Sequence, residues 1–323
     1  MSDTLYVCIS LDVEEEGLFS GHYASRNPPL TNIPLLAQLA PLLHELDFRL
    51  TFFCDYAVFA DSGAWTAVSR LAESQKVEIG AHLHHWSTPP FSANGSGEPL
   101  RTHLLPPRLL RERLENLLEK GKERAGHPLA SFRMGRWDLR RQLLPLLAEH
   151  GIKVDSSICP LRAFKNGTSH FLAPAEPYWV GTPAGRILEA PITQIPIFSG
   201  LERIWMRLWA KRQAYLDSWH FFGALSANPV WHSLPVMKMA ARRHFARGGR
   251  VLNFFWHSSE LLPGASPNIP DQQHAARLLQ KIFAFCKWLR LNFKIQPLTA
   301  SEIAALPIAA RFPQLPEPAD GDW

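Results

Sequence analysis

The chain has 323 residues, a formal net charge of +5, 46% hydrophobic and 20% charged residues. That length suits one large domain or two small ones, and its core needs no disulfide or metal staple. The mild basic excess does not by itself imply nucleic acid, and no apolar run approaches the ~20 residues of a membrane span.

The N-terminus, MSDTLYVCISLD, has neither a basic region nor a small-residue cleavage site, so the sequence predicts a cytoplasmic protein. Cys8, Cys54, Cys159 and Cys286 lie far apart in apolar runs, which reads as buried free thiols rather than a cysteine zinc site. Short apolar runs predict strands at Leu5–Asp12, Phe48–Cys54, Lys76–Leu83, Ala130–Met134, Ile152–Ile158, Arg186–Thr193 and Arg250–His257. Several are apolar on both faces, as parallel strands covered by helices should be. Helical spacing marks NIPLLAQLAPLLHELD, PRLLRERLENLLEKGKERAG, RRQLLPLLAEHG and DQQHAARLLQKIFAFCKWLRLN between them. The alternation predicts an α/β barrel or a doubly wound sheet in a single domain over 1–305, followed by a loose Pro-rich tail over 306–323. Residues 198–250 break the alternation with a basic, aromatic segment containing Trp205, Trp209, Trp219, Phe221 and Phe222. Two readings stand: a helical pair inserted over one side of the barrel, or a patch that docks on a membrane surface or a lipid-linked glycan.

Ionisable residues gather where the predicted strands end. Asp12, Glu14, Glu15 and Glu16 follow the first strand; His82, His84 and His85 follow the third. Arg133, Arg136 and Trp137 belong to the fourth, Asp155 to the fifth and His257 to the seventh. Catalytic residues of α/β barrels come from this edge. Carboxylates and histidines, without a serine or cysteine nucleophile, suit a divalent metal with oxygen and nitrogen ligands. On extended chain, residues two apart share a side, so Asp12 pairs with Glu14 and His82 with His84, whereas His85 points away unless the chain turns. Glu15 and Glu16 read as a solvated acidic run. Trp86 and Trp137 suit stacking on a sugar or simple burial, and Arg136 suits substrate binding or pairing with an acid.

ISLDVEEEG, EIGAHLHHW, FRMGRW, KVDSSICP and NFFWHSSELLPG, in that order, resemble the motifs of the NodB-type polysaccharide deacetylases, carbohydrate esterase family four. The spacing of GAHLHHWSTPP and HSSELLPGASP is closest to the WalW-like branch. The resemblance spans roughly residues 5 to 300. It implies a distorted (β/α) barrel of about seven parallel strands and metal-assisted hydrolysis of an acetyl group on a carbohydrate, with zinc, cobalt or a similar divalent ion as cofactor. Carried across by residue, Asp12 is the general base, Arg133 orients it and His257 protonates the leaving amine. Glu14 (or Asp12 itself) and two histidines hold the metal, while Trp86, Arg136, Trp137 and Asp155 meet the substrate. Two departures stand out. Val13 follows Asp12 where the family has a second aspartate, and Trp86 stands four after His82 where the family has its second histidine, leaving His84 or His85 for that place. The substrate implied is an N-acetylated sugar, free or lipid-linked. A metal amidohydrolase on a small non-sugar amide, such as a ureide, and a non-catalytic carbohydrate-binding descendant are the competing readings.

Overall fold

The computed structural model describes residues 3–91 and 99–315. Seven parallel strands form its frame: β1 (Thr4–Val13), β2 (Leu50–Cys54), β3 (Val77–Leu83), β4 (Ser131–Met134), β5 (Val154–Asp155), β7 (Gly185–Glu189) and β10 (Val251–His257). Five more strands complete the count: β6 (Tyr178–Thr182), β8 (Gln194–Pro196), β9 (Ala224–Ser226), β11 (Lys294–Leu298) and β12 (Gln314–Leu315). The main sheet runs β10-β1-β2-β3-β4-β5-β7-β6-β12, with β11 also on β1. Apolar strands explain this arrangement: all ten residues of β1 and all five of β2 are buried, so both faces must be covered. Helices Pro107–Ala125 and Gln272–Asn292 supply part of that cover; the first ends at Gly126 in the left-handed region, and the second is capped by Asp271 Oδ1 on His274 N.

Side-chain contacts report strong curvature. Arg133 on β4 reaches Asp12 on β1, with Nη1 2.6 Å from Oδ1. Three inter-strand spacings separate those strands, about 14 Å on a flat sheet. Asn253 of β10 likewise meets Ser156, just past β5, with Nδ2 3.0 Å from Oγ. The sheet therefore curls around a shared interior. No strand ladder joins β7 to β10 among the described residues; Thr193 N instead donates to the Asn253 carbonyl at 2.8 Å.

The differences from the sequence-based expectations have local causes. The fifth strand is only two residues long because Ser157 N turns back to Asp155 Oδ2 at 3.1 Å. The sixth stops at Glu189, ahead of Pro191, and its other edge pairs antiparallel with β6, a hairpin the sequence pattern did not announce. NIPLLAQLAPLLHELD is a 3-10 turn over Ile33–Leu39 followed by a short α-helix, Ala40–His44, in keeping with Pro34 and Pro41. The segment 198–250 holds three short helices (Leu201–Trp209, Gln213–Asp217, Trp219–Phe222), then β9 paired with β8, then a core helix, Leu234–Ala246. The stretch from 306 is not loose where it is described: Ala309 is buried and Gln314–Leu315 pair with β6; residues 316–323 lie outside the described residues. All four cysteines are free and buried.

Gly80, on β3, fixes how closely β2, β3 and β4 pack. A Cβ there would lie 2.6 Å from Ser131 Oγ and 2.7 Å from Phe53 Cδ1. Gly80→Ala therefore overpacks the layer beneath the histidines, and urea titration should show a loss of about 1–3 kcal/mol.

Candidate metal centre and active site

Register sets the first layer of the site. In the β1–β10 ladder Asp12 is the partner of His257, and in the β3–β4 ladder His82 is the partner of Arg133. Parallel partners present side chains to the same face, so all four project into the curved interior at the C-terminal edge. His84 follows one pleat after His82 and shares its side, their ring centroids 4.5 Å apart.

Both imidazoles converge on Glu14, whose Oε2 lies 3.2 Å from His82 Nε2 and 3.3 Å from His84 Nε2. The far side of each ring fixes its tautomer. His82 Nδ1 faces the Arg133 carbonyl at 3.0 Å and must donate to it; His84 Nδ1 faces Glu15 Oε2 at 2.8 Å. A neutral ring that donates through Nδ1 carries its lone pair on Nε2, so two lone pairs and a carboxylate oxygen are aimed at one another. Three converging acceptors, all buried, call for a cation, and two nitrogens with one carboxylate suit zinc or a similar divalent ion. Without an ion, imidazole protons take its place: burial works against ionising Glu14, but His257 and hydrogen bonds from the two histidines hold its carboxyl well below the usual carboxylate range, and against burial Glu15 and Glu14 raise His84 well above the usual imidazole range; toward a bound ion both rings would present Nε2 unprotonated.

A second buried layer backs His84. Glu15, read from the sequence as solvated, is completely buried: Oε2 holds His84 and Oε1 accepts from Trp86 Nε1 at 2.9 Å. Asp55 takes the Glu15 amide on Oδ2 at 3.0 Å and caps Val58 N through Oδ1 at 2.8 Å. Burial and then the neighbouring Glu15 push Asp55 well above the usual carboxylate range. Burial opposes ionisation of Glu15 too, but His84 and the Asp55 hydrogen bond hold it at about 2. Glu16 accepts from Thr31 Oγ1 at 2.8 Å and Asn32 N at 3.1 Å, organising the following turn rather than the site. The run of acids in ISLDVEEEG was visible; its alternation of inward roles was not, because the chain leaves the strand at Val13.

His84 also depends on the turn after β4. A Cβ at Gly135 would lie 2.4 Å from His84 Cδ2, so the ring fits only against a bare backbone. Arg136 and Trp137 then take φ of 58° and 56°, left-handed values unusual for non-glycine residues.

Arg133 is fully buried and saturated. Besides Asp12 it donates to Ser10 Oγ at 2.8 Å, Ser156 Oγ at 3.0 Å and the Ser156 carbonyl at 2.9 Å. Its guanidinium lies over Phe53 (4.3 Å), Phe255 (5.2 Å) and Trp137 (5.6 Å). His257 Nε2 stands 3.7 Å from Asp12 Oδ2, while its Nδ1 lies 3.1 Å from Glu260 Oε2, which also accepts the His257 amide. Burial alone would lower the His257 imidazole, but the charges of Glu14 and Glu260 raise it to about 9.

Asp12, Glu14, His82, His84 and His257 floor a cavity of about 290 Å³ walled by Phe19, Tyr23, Trp86, Trp137, Phe164 and Trp231. Arg136 lines it as well, its Nη1 3.0 Å from the Pro99 carbonyl. Trp86 stacks on His84 at 4.3 Å. The aromatics beyond the two tryptophans carried no motif signal, since they come from connecting segments.

Two sequence candidates do not join the group. His85 turns away to the Leu100 carbonyl (2.9 Å), and burial lowers it to about 3. Asp155 does not line the cavity: it is buried beneath it, where it meets Ser157 Oγ at 2.6 Å and is the ladder partner of Glu189. The reason is the short fifth strand, which aims Asp155 at the backbone of its own turn. Burial pushes Asp155 up, and burial with the Asp155 charge pushes Glu189 well up, towards its neutral form.

The comparisons follow this geometry. No family model and no curated protein sequence matches the chain. Among solved structures, the chain is similar to a protein assigned as a polysaccharide deacetylase from Mycobacterium smegmatis, with TM-score 0.59, 16% identity and coverage of 97% of this chain and 94% of the other. A second protein so assigned, from Pseudomonas aeruginosa, gives TM-score 0.51 and 15% identity over 94% and 91%. Puue allantoinase gives TM-score 0.56 and 14% identity over 95% and 90%. The chain has the mostly parallel α/β fold of the NodB-type polysaccharide deacetylases. The matches do not single out the WalW-like branch.

Two outcomes test this layout. Replacing Glu15 with Gln should weaken zinc binding about tenfold or more in a chelator competition, because the partner that fixes His84 loses its charge; an unchanged affinity would detach His84 from the metal. A buried acid whose folded value is raised contributes stability below its unfolded value of about 4.3, and that contribution is lost as pH rises toward the folded value. Glu189→Gln should therefore flatten the decline in melting temperature above about pH 4.3, relative to the unsubstituted protein.

Proposed function

We propose that the protein is a metal-dependent hydrolase that removes an acetyl group from an N-acetylated sugar of a glycan or glycan precursor. The observation that carries this reading is the convergence of Glu14, His82 and His84 beside the Asp12–Arg133 and His257 pair in one aromatic-walled cavity. Glu14, His82 and His84 would hold the ion; when bound, it supplies a Lewis acid for the acetyl carbonyl and makes a water easier to deprotonate.

The remaining roles fall to the chain's own side chains. Asp12 commits one oxygen to Arg133, which fixes the carboxylate, and turns the other towards His257. The 3.7 Å gap is too long for a hydrogen bond, so that oxygen is available as a base for the attacking water. As water adds to the acetyl carbon, its proton passes to Asp12; the carbon–nitrogen bond then breaks and His257 gives its proton to the departing amine. Acetate and a free amino sugar result. Near neutral pH His257 stands protonated, since Glu14 and Glu260 raise it, as an acid requires. A cation at Glu14 offsets part of that pull, leaving Glu260 and Asp12 to sustain it. Trp86, Trp137 and Arg136 line the cavity and would meet the sugar, whose apolar faces suit the aromatic walls; nucleotide sugars, glycolipids and lipid-linked oligosaccharides belong to the substrate class.

A small non-sugar amide, such as a ureide, is the second reading. It draws on the fold shared with an allantoinase and on a cavity of about 290 Å³. The deciding experiment loads the protein with zinc or cobalt and offers chitooligosaccharides, a lipid-linked N-acetylglucosamine and a ureide panel. Acetate release is expected, and Asp12→Asn should lower it about 10²- to 10⁴-fold with metal content unchanged. Ureide cleavage without acetate would establish the second reading, and failure to retain metal would favour a binding-only protein.

A further inference from the structure

The helix Leu201–Trp209 buries none of its residues. Leu201, Ile204 and Leu208, spaced i, i+3 and i+7, form an outward stripe, with Leu208 68% exposed. Phe198, Tyr215 and Phe222 extend the stripe, and Phe221 at its edge is 80% exposed. Trp205 and Trp209 instead turn inward, Trp205 against Trp219 at 5.6 Å and Trp209 stacked on Tyr215 at 4.8 Å. They brace the surface rather than form it. An apolar face of this extent on a soluble chain marks an interaction site.

Charge indicates what the face meets. Arg203, Arg207, Lys211 and Arg212 are exposed in the same stretch. Of its two acids, Glu202 is occupied with the Gly200 amide at 2.8 Å, and Asp217 with Arg162 at 2.8 Å. Arg207 follows Ile204 by three residues and so leaves the helix on the flank of the stripe, which gives the apolar face a positive border.

We propose that this face docks on an anionic membrane, its apolar stripe entering the headgroup boundary while Arg203, Arg207, Lys211 and Arg212 reach lipid phosphates from its flank. Arg162 couples the docked segment to the cavity of the candidate site: it lines that cavity and holds Asp217 of the insert through two bonds of 2.8 and 3.2 Å. The docked protein thus presents its aromatic-walled site beside the bilayer surface. The docking stands apart from the hydrolase reading and is measured without it.

Flotation of the full chain with phosphatidylcholine vesicles, with and without phosphatidylglycerol, tests the proposal. Binding is expected to the anionic vesicles and to weaken with salt. Arg203→Gln with Arg207→Gln should weaken it about 30-fold. Leu208→Ser with Phe221→Ser should weaken it at least about tenfold. Both substitute exposed positions, and circular dichroism confirms that the variants fold. Equal binding to neutral vesicles, no vesicle binding, or binding unaffected by the variants overturns the proposal. So does a dimer abolished by Leu208→Ser and Phe221→Ser without vesicle binding, which makes the face a contact between copies. Acetate release from a soluble chitooligosaccharide, followed in parallel, is expected to survive Leu208→Ser with Phe221→Ser.

Discussion

The contact between Arg133 and Asp12 is the constraint on which the site depends. A guanidinium taken out of water costs several kcal/mol, and here the cost is offset by a carboxylate, two serine hydroxyls, a carbonyl and three aromatic faces. Those partners come from β1, β2 and β10 and from the turns after β4 and β5. They can meet only if the sheet is curved, so the ion pair and the curvature require each other. The carbonyl of the same residue receives His82 Nδ1, which ties a metal-facing imidazole to the strand that anchors the base.

Behind the first layer stands a graded set of buried acids. Glu14 and Glu15 are held ionised by histidines, whereas Asp55 and Glu189 are driven towards their neutral forms by burial and by acid neighbours. Setting charged carboxyls beside ones driven towards neutrality lets these buried acids occupy one interior without mutual repulsion dominating. This is also why a sequence rich in acids at strand ends folds: each has a partner, Arg133 for Asp12, His84 for Glu14 and Glu15, and the Glu15 amide for Asp55.

The sequence made the strand frame legible because each parallel strand is an apolar run that terminates in ionisable residues. The two-residue period puts Asp12 and Glu14 on one side of the chain, and His82 and His84 likewise. It stopped serving once the chain left the strand, so Glu15 read as solvated and Asp155 as a substrate contact. The β6–β7 hairpin escaped notice because Tyr178–Thr182 is short and half-covered, and β8–β9 because three-residue strands carry no periodic signal. The inward turn of Trp205 and Trp209 was equally hidden, since aromatic content does not say which rings face water.

The bare backbone at Gly135 has a consequence for how this scaffold can change over evolutionary time. His84 rests on that glycine, and the next two residues supply Arg136 and Trp137 to the cavity wall. Drift in this turn would disturb ligand placement and ligand choice together, so it is a poor place to acquire new specificity. Phe164 and Trp231 line the same cavity from other connecting segments and pair with His170 and Phe255 instead of the three converging acceptors. Diversification among descendants of this chain should therefore concentrate there, with the turn after β4 held nearly fixed.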